Sequence, residues 1–166
     1  MNLYLIRHAD AVPVGGTVTH DSGRPLSPRG EDDAMLMGRA LALLEPNVDI
    51  IVTSPLVRAI ETGEIIGKEI SDHPVMHVSE HLAPGFRDNA LFRELLALGG
   101  GSNMIAVGHQ PDMSEFVSYL IAGSEGASVA MSAGSVAKVV VEGSEPQGHL
   151  AWMLTPEALK NLHEGL

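Results

Sequence analysis

The sequence predicts an α/β fold: a three-layer sandwich with a central, mostly parallel mixed sheet flanked by helices. Three observations carry the prediction. Short runs of aliphatic and β-branched residues recur along the chain, each of strand length and apolar on both faces. Segments with apolar residues at helical spacing separate them. Ser27-Pro28, Ser54-Pro55 and Thr155-Pro156 stand at three of the junctions, where a capping hydroxyl and a first-turn proline open a helix.

In chain order, Leu3 to Ile6 reads as a buried strand that ends in Arg7 and His8. Pro13 to Pro28 is rich in Gly, Pro, Ser and Thr and reads as a loop. Ser27 and Pro28 open a helix with Met37, Leu41 and Leu44 on its apolar face. Glu31, Asp32 and Asp33 lie near its positive end. Asp49 to Thr53 is a second strand, and Ser54-Pro55 opens a helix continued by Ile66 and Ile70. Val75 to Val78 reads as a short strand, with a turn near Pro84-Gly85. Asn89 to Leu98 is a helix, ended by Gly99, Gly100 and Gly101. Met104 to Val107 is a third buried strand, followed by Gly108-His109 and a helix from Pro111. Val136 to Val141 and His149 to Leu154 pair as a late hairpin, an edge that need not be parallel. Thr155-Pro156 opens a short last helix. No internal repeat or composition break divides the chain, so residues 1–166 are expected to form a single domain.

Composition narrows the function classes. The hydrophobic fraction is 45% with 4% aromatic, so aliphatic side chains and Met fill the core. There is no cysteine, which excludes disulfides, thiolate catalysis and Cys-based zinc sites. A formal charge of -11 argues against nucleic-acid binding, which needs a basic footprint. No apolar run approaches the ~20 residues of a membrane span, and the N-terminus lacks a signal-peptide pattern. The expectation is a cytoplasmic protein with no membrane and no nucleic-acid partner. No signal for an oligomeric state is present.

Function is read from where polar residues interrupt the pattern. Arg7 and His8 follow the first strand, Arg58 lies about a turn into the helix after the second, and His109 follows the third. In an open α/β sheet, ligands bind beyond the carboxyl ends of the strands. Parallel strands would bring these four side chains into one crevice. Two guanidiniums and two imidazoles there suit a small, doubly charged anion, and the planar Arg fork favours phosphate. Each residue alone has an ordinary reading, as a surface or turn residue. A His-based metal site is the other reading of the cluster, but Arg7 beside His8 would repel a cation, and no metal is expected.

At these residues the sequence resembles the histidine phosphatase superfamily, also called phosphoglycerate mutase-like. LYLIRHADA carries the Arg-His pair at the end of the first strand. TSPLVRAIETGEII is similar to the family's Ser-Pro-x-x-Arg-Ala-x-x-Thr and carries Arg58 and Thr62. MIAVGHQPDMSEF is similar to its Val-x-His block and carries His109. The short chain most resembles the SixA-type phosphohistidine phosphatases, through DSGRPLSPRG (Asp21 to Gly30) and HLAPG, where Leu82 to Gly85 follow His81.

The resemblance implies a phosphatase with no metal and no organic cofactor. His8 would be the nucleophile, attacking phosphorus in line to give a phosphohistidine that water hydrolyses. Neighbouring guanidiniums favour the neutral imidazole that attack requires. Arg7, Arg58 and His109 would hold the phosphoryl oxygens. Arg24 is a candidate substrate ligand or, equally, a solvated loop residue. Relatives place a carboxylate acid near Glu80; here His81 stands where that Glu often does, so Glu80, His81 and Asp10 are the candidates. Asp10 reads better as a residue that orients Arg7 or caps the turn.

Without an acid, an activated phosphate is favoured, above all the phosphohistidine of a partner protein. A small-metabolite phosphatase and a non-catalytic phosphate-binding module are the alternatives. The loop from Ala11 to Arg24 and the stretch from Leu82 to Asn89 are expected to border the pocket and set the substrate.

Overall fold

The computed structural model describes residues 1–45, 47–70, 74–86, 88–99, 103–123 and 126–164. Its elements run β1 (Asn2–Arg7), α1 (Pro28–Leu44), β2 (Ile50–Thr53), α2 (Val57–Glu69), β3 (Val75–Val78), α3 (Asp88–Gly99), β4 (Asn103–Gly108), α4 (Asp112–Ala122), β5 (Val136–Val141), β6 (Gly148–Leu154) and α5 (Pro156–Glu164). Two short 3-10 turns cover Asp21–Gly23 and Glu80–Leu82. One six-stranded sheet has the order β3-β2-β4-β1-β5-β6. The first four neighbours pair in parallel, and β5 and β6 close the other edge as an antiparallel hairpin. The expected mixed, mostly parallel sheet is present.

Side-chain alternation along β1 builds the three layers. Leu3 and Leu5 join a core with Leu91 and Leu95 of α3 and Phe116 and Val117 of α4. Tyr4 and Ile6 join a second core with Met37 and Leu41 of α1 and Ile66 of α2. Both faces of the strand are covered, so its sequence is apolar without interruption. Leu159 packs on the second core and places α5 on that side.

The helix starts show what the chain encodes locally. Ser27 caps α1, its Oγ accepting from the Gly30 N–H at 3.0 Å, with Pro28 at the first position. Thr155 Oγ1 accepts from the Ala158 N–H at 3.1 Å and begins α5 in the same way. Ser54-Pro55 behaves differently. Helix α2 begins at Val57, and its capping position is Leu56, with no side-chain cap. Ser54 is instead fully buried and turned toward His109. Gly99 closes α3, while Gly100 and Gly101 lie outside the described residues. No helix among the described residues is long and apolar enough to cross a membrane.

Candidate active site

Parallel pairing of β1 with β4 puts Arg7 opposite Gly108, so His8 and His109 leave the sheet side by side. Their ring centroids are 5.1 Å apart, tilted by 56°. Strand β2 is the other neighbour of β4, and Arg58 is the second residue of the helix that follows it. The four residues line one cleft of about 360 Å³, with Arg24, Asp10 and Asp21 on its walls and Pro84, Gln110 and Ala133 completing them. A larger groove, between the end of α4 and the start of β6, lies at the opposite edge of the sheet and is lined by no arginine.

His8 has a defined tautomer. Its Nδ1 lies 2.7 Å from the Ala9 carbonyl, which can only accept. Its Nε2 faces the Arg58 Nε–H at 3.1 Å, and a guanidinium can only donate. The proton therefore sits on Nδ1 and the lone pair on Nε2. Burial, reinforced by the charges of Arg58, Arg7 and Arg24, lowers the His8 pKa from 6.5 to about 4, with the Ala9 carbonyl opposing. His109 is pushed down to about 3, first by burial and then by His8 and Arg58, with Asp21 opposing. Its Nε2 lies 2.7 Å from Ser54 Oγ. Its buried Nδ1 has no partner among the described residues. Both rings are neutral near pH 7.

The arginines are anchored mostly by carbonyl oxygens. Arg7 Nη1 donates to the Met131 carbonyl at 2.9 Å. The Arg7 and His8 carbonyls both accept from the Gly134 N–H at 3.1 Å. Gly134 has φ +75°, a region in which a side chain would be strained, and a Cβ there would meet Pro156 at 2.9 Å. Arg58 is buried, donating through Nη1 to the Asp21 carbonyl at 2.7 Å and through Nη2 to Asp21 Oδ2 at 3.0 Å. Arg24 reaches the cleft, but donates to Val12 O at 2.6 Å, Ala11 O at 3.2 Å and Asp21 Oδ1 at 3.1 Å. It therefore clamps the chain that leaves His8, with two of its five N–H groups still free of these contacts.

Thr62, fully buried on α2, ties the two halves together. Its Oγ1 accepts from the Ala9 N–H at 3.1 Å and donates to the Arg58 carbonyl at 2.6 Å. Asp10 lines the cleft, and its Oδ2 accepts from Ser27 Oγ at 2.6 Å, which couples the His8 segment to the start of α1.

Glu80 and His81 do not line the cleft. Both are exposed in the turn Glu80–Leu82, where the fully buried Leu82 takes the inward position. The His81 N–H donates to Ser79 Oγ, which shapes that turn. Of the two stretches expected to border the pocket, the first contributes Ala11, Asp21 and Arg24 and the second Pro84, with residue 87 outside the described set. Sequence reading missed three parts of the arrangement: Asp21 between two arginines, Ser54 on His109, and the bridging role of Thr62. All three stand in the quoted motifs, where their residue types were visible but their partners were not. Among the described residues, no group of three or more His, Cys, Asp or Glu is gathered to hold a metal ion.

The arrangement presents an unprotonated imidazole nitrogen beside guanidinium donors, a setting for transfer of an anionic electrophile. Known proteins resemble this chain at several levels. Residues 3–83 match the histidine phosphatase superfamily (branch 1). A protein of Picosynechococcus sp. is 33% identical over 129 residues, which cover 76% of each chain. The phosphohistidine phosphatase SixA of Escherichia coli is 27% identical over 96% of this chain and 97% of its own. A solved structure of the protein histidine phosphatase SixA complexed with tungstate superposes with a TM-score of 0.86 at 24% identity, over 96% of this chain and 99% of that one.

Proposed function

Because the chain belongs to the histidine phosphatase superfamily, we propose that it is a phosphatase that passes the phosphoryl group through His8, and that its substrate is the phosphohistidine of a partner protein. The observation that carries the first part is the His8 lone pair on Nε2, facing guanidinium donors in a cleft at the strand ends. A phosphoryl group entering the cleft would take the place of the Arg58 Nε–H at Nε2. Its oxygens would then be held by Arg7, Arg58 and His109, which spreads the transition-state charge over fixed groups. As the Nε2–P bond forms, the leaving group departs with the electron pair of its bond to phosphorus. The ring becomes cationic, and the Ala9 carbonyl at Nδ1–H stabilises it. Water then attacks phosphorus, and Nε2 recovers its lone pair.

The substrate follows from the proton inventory. Arg24, first, and Arg58 hold the Asp21 carboxyl below its ordinary range, so it stays ionised. Asp10 accepts from Ser27, and Glu80 and His81 are turned to solvent away from the cleft. Among the described residues, no carboxylic acid is poised over a leaving alkoxide. A phosphohistidine needs none, because an imidazole protonated on its far nitrogen leaves as a neutral ring. E. coli SixA, a relative along nearly the whole chain, is named for that substrate. A cytoplasmic site of action and the absence of a metal or organic cofactor belong to the same proposal.

Single-turnover reaction with 32P-labelled substrate tests it. The wild type is expected to trap an acid-labile, base-stable phosphoenzyme and to turn over p-nitrophenyl phosphate and a phosphohistidine protein. His8→Ala is expected to do neither. Saturable phosphate binding without a phosphoenzyme would make the chain a binding module. Faster turnover of alkyl phosphates than of phosphohistidine would make it a metabolite phosphatase.

A further inference from the structure

Asp21 stands at the centre of the cationic wall. It offers Arg58 two acceptors at once, its carbonyl to Nη1 at 2.7 Å and Oδ2 to Nη2 at 3.0 Å. Its other carboxylate oxygen takes Arg24 Nη1 at 3.1 Å. Arg24 in turn holds the Ala11 and Val12 carbonyls, three and four residues beyond the proposed nucleophile. The third donor of Arg58 points at His8 Nε2. One residue of a surface loop thus closes a path from the nucleophile, through Arg58, to the segment that leaves the nucleophile.

Two guanidiniums this close repel each other, and a shared carboxylate cancels that repulsion while fixing both planes. Arg58 has no carboxylate partner among the described residues other than Asp21. Without that carboxylate, Nη2 would lose its contact, and only the backbone carbonyl at Nη1 would be left to set the angle of Nε toward His8. Asp21 is itself 58% exposed at the side chain, and its hydrogen bonds to both arginines keep its carboxyl ionised. That combination suits a fixed counter-charge and does not suit a proton donor.

We propose that Asp21 is a positioning residue, which acts on the reaction by locking Arg58 against His8 and coupling it to Arg24. This rests on the reading of His8 as the phosphoryl acceptor. It assigns the loop after β1 a part in catalysis: Asp21 orders the phosphate-binding guanidinium instead of touching phosphate.

A double-mutant cycle tests the proposal with p-nitrophenyl phosphate as substrate and orthovanadate as the bound phosphate analogue. Asp21→Asn removes the charge and one of the carboxylate's two acceptors, and is expected to lower kcat by about ten- to a hundredfold, as small misplacements of catalytic groups do. It is also expected to weaken orthovanadate inhibition. In an Arg58→Ala background the same substitution should change kcat by less than about threefold, because its effect runs through Arg58. Equal losses in both backgrounds would overturn the proposal, as would tighter orthovanadate binding by Asp21→Asn, which would make Asp21 a competitor for the anion site. If Asp21→Asn does not fold, the cycle is run with Asp21→Glu, which keeps the charge and displaces it by one methylene; the same outcomes apply. An inactive wild type would instead refute the phosphatase reading itself, so the two failures are distinct.

Discussion

Protonation of His8 should be displaced far from that of an ordinary histidine. The folded value is about 4 against 6.5, a penalty on the imidazolium of about 3 kcal/mol. At pH 5.5 an ordinary imidazole would be neutral in only about one molecule in ten, whereas His8 would be neutral in all but about one in thirty. The stability consequence has a definite sign. Between pH 6.5 and 4 the unfolded chain binds the proton and the folded protein does not. The contribution is therefore complete above about 6.5 and lost as pH falls through the folded value, up to about 3 kcal/mol from this residue. His109, held down to about 3, works in the same direction. The direct assay is an NMR titration of the two imidazoles from pH 3 to 8, in the wild type and in Arg58→Met. Removal of the Arg58 charge should raise the His8 midpoint yet leave it below 6.5, because burial, the larger cause, remains. A wild-type midpoint at or above 6.5 would refute the reasoning, since burial and the arginines would then not disfavour the imidazolium.

Three further substitutions probe the scaffold around the cleft. Gly30→Ala would place a Cβ 2.0 Å from the Asp10 carbonyl oxygen; the backbone must shift, at about 3 kcal/mol, read as a drop in Tm of roughly 10 °C together with lost turnover. Thr62→Val keeps the shape but strands the buried Ala9 N–H, so denaturant unfolding should show a loss of about 1–3 kcal/mol and kcat should fall. Glu80→Ala should leave kcat/KM for p-nitrophenyl phosphate and phosphohistidine within about twofold, because the side chain does not line the cleft; a hundredfold loss would place it over the leaving group.

Much of the fold was legible because its signals are local. Both faces of β1 are buried, so its composition alone identifies a central strand, and Ser27 and Thr155 cap the helices their prolines announce. The convergence of His8, Arg58 and His109 was legible for a related reason: parallel strands put successive carboxyl ends at one edge, wherever they fall in the order β3-β2-β4-β1. What the sequence concealed is long-range pairing of side chains. Ser54 carries the residue type of a cap, and its hydroxyl accepts from the Leu56 N–H at 3.3 Å, but it also meets a histidine 55 positions away. Asp21 and Arg58 are 37 positions apart, and only the wrap of the loop between β1 and α1 brings them together. Glu80 and His81 lie outside the cleft for a packing reason, since burying Leu82 turns both of its predecessors outward.

The cleft also reconciles the proposed anion site with a chain of net charge -11. Three arginines face two aspartates on its walls, and both imidazoles are neutral near pH 7. Arg7 is held by a backbone carbonyl, and carbonyls supply two of the three acceptors around Arg24 and one of the three around Arg58. A carbonyl fixes a guanidinium without cancelling its charge, whereas a carboxylate does both. Anchoring by backbone therefore keeps the cleft positive while the rest of the surface stays acidic. Long-range repulsion slows the approach of small polyanions and is screened by salt. A phosphohistidine on a protein meets less of that barrier, because contacts elsewhere on its surface contribute to docking. Raising ionic strength should thus speed association of a free phosphate monoester more than that of a phosphohistidine protein, which stopped-flow encounter rates in 20 mM and 200 mM salt, about a threefold change in Debye length, would measure.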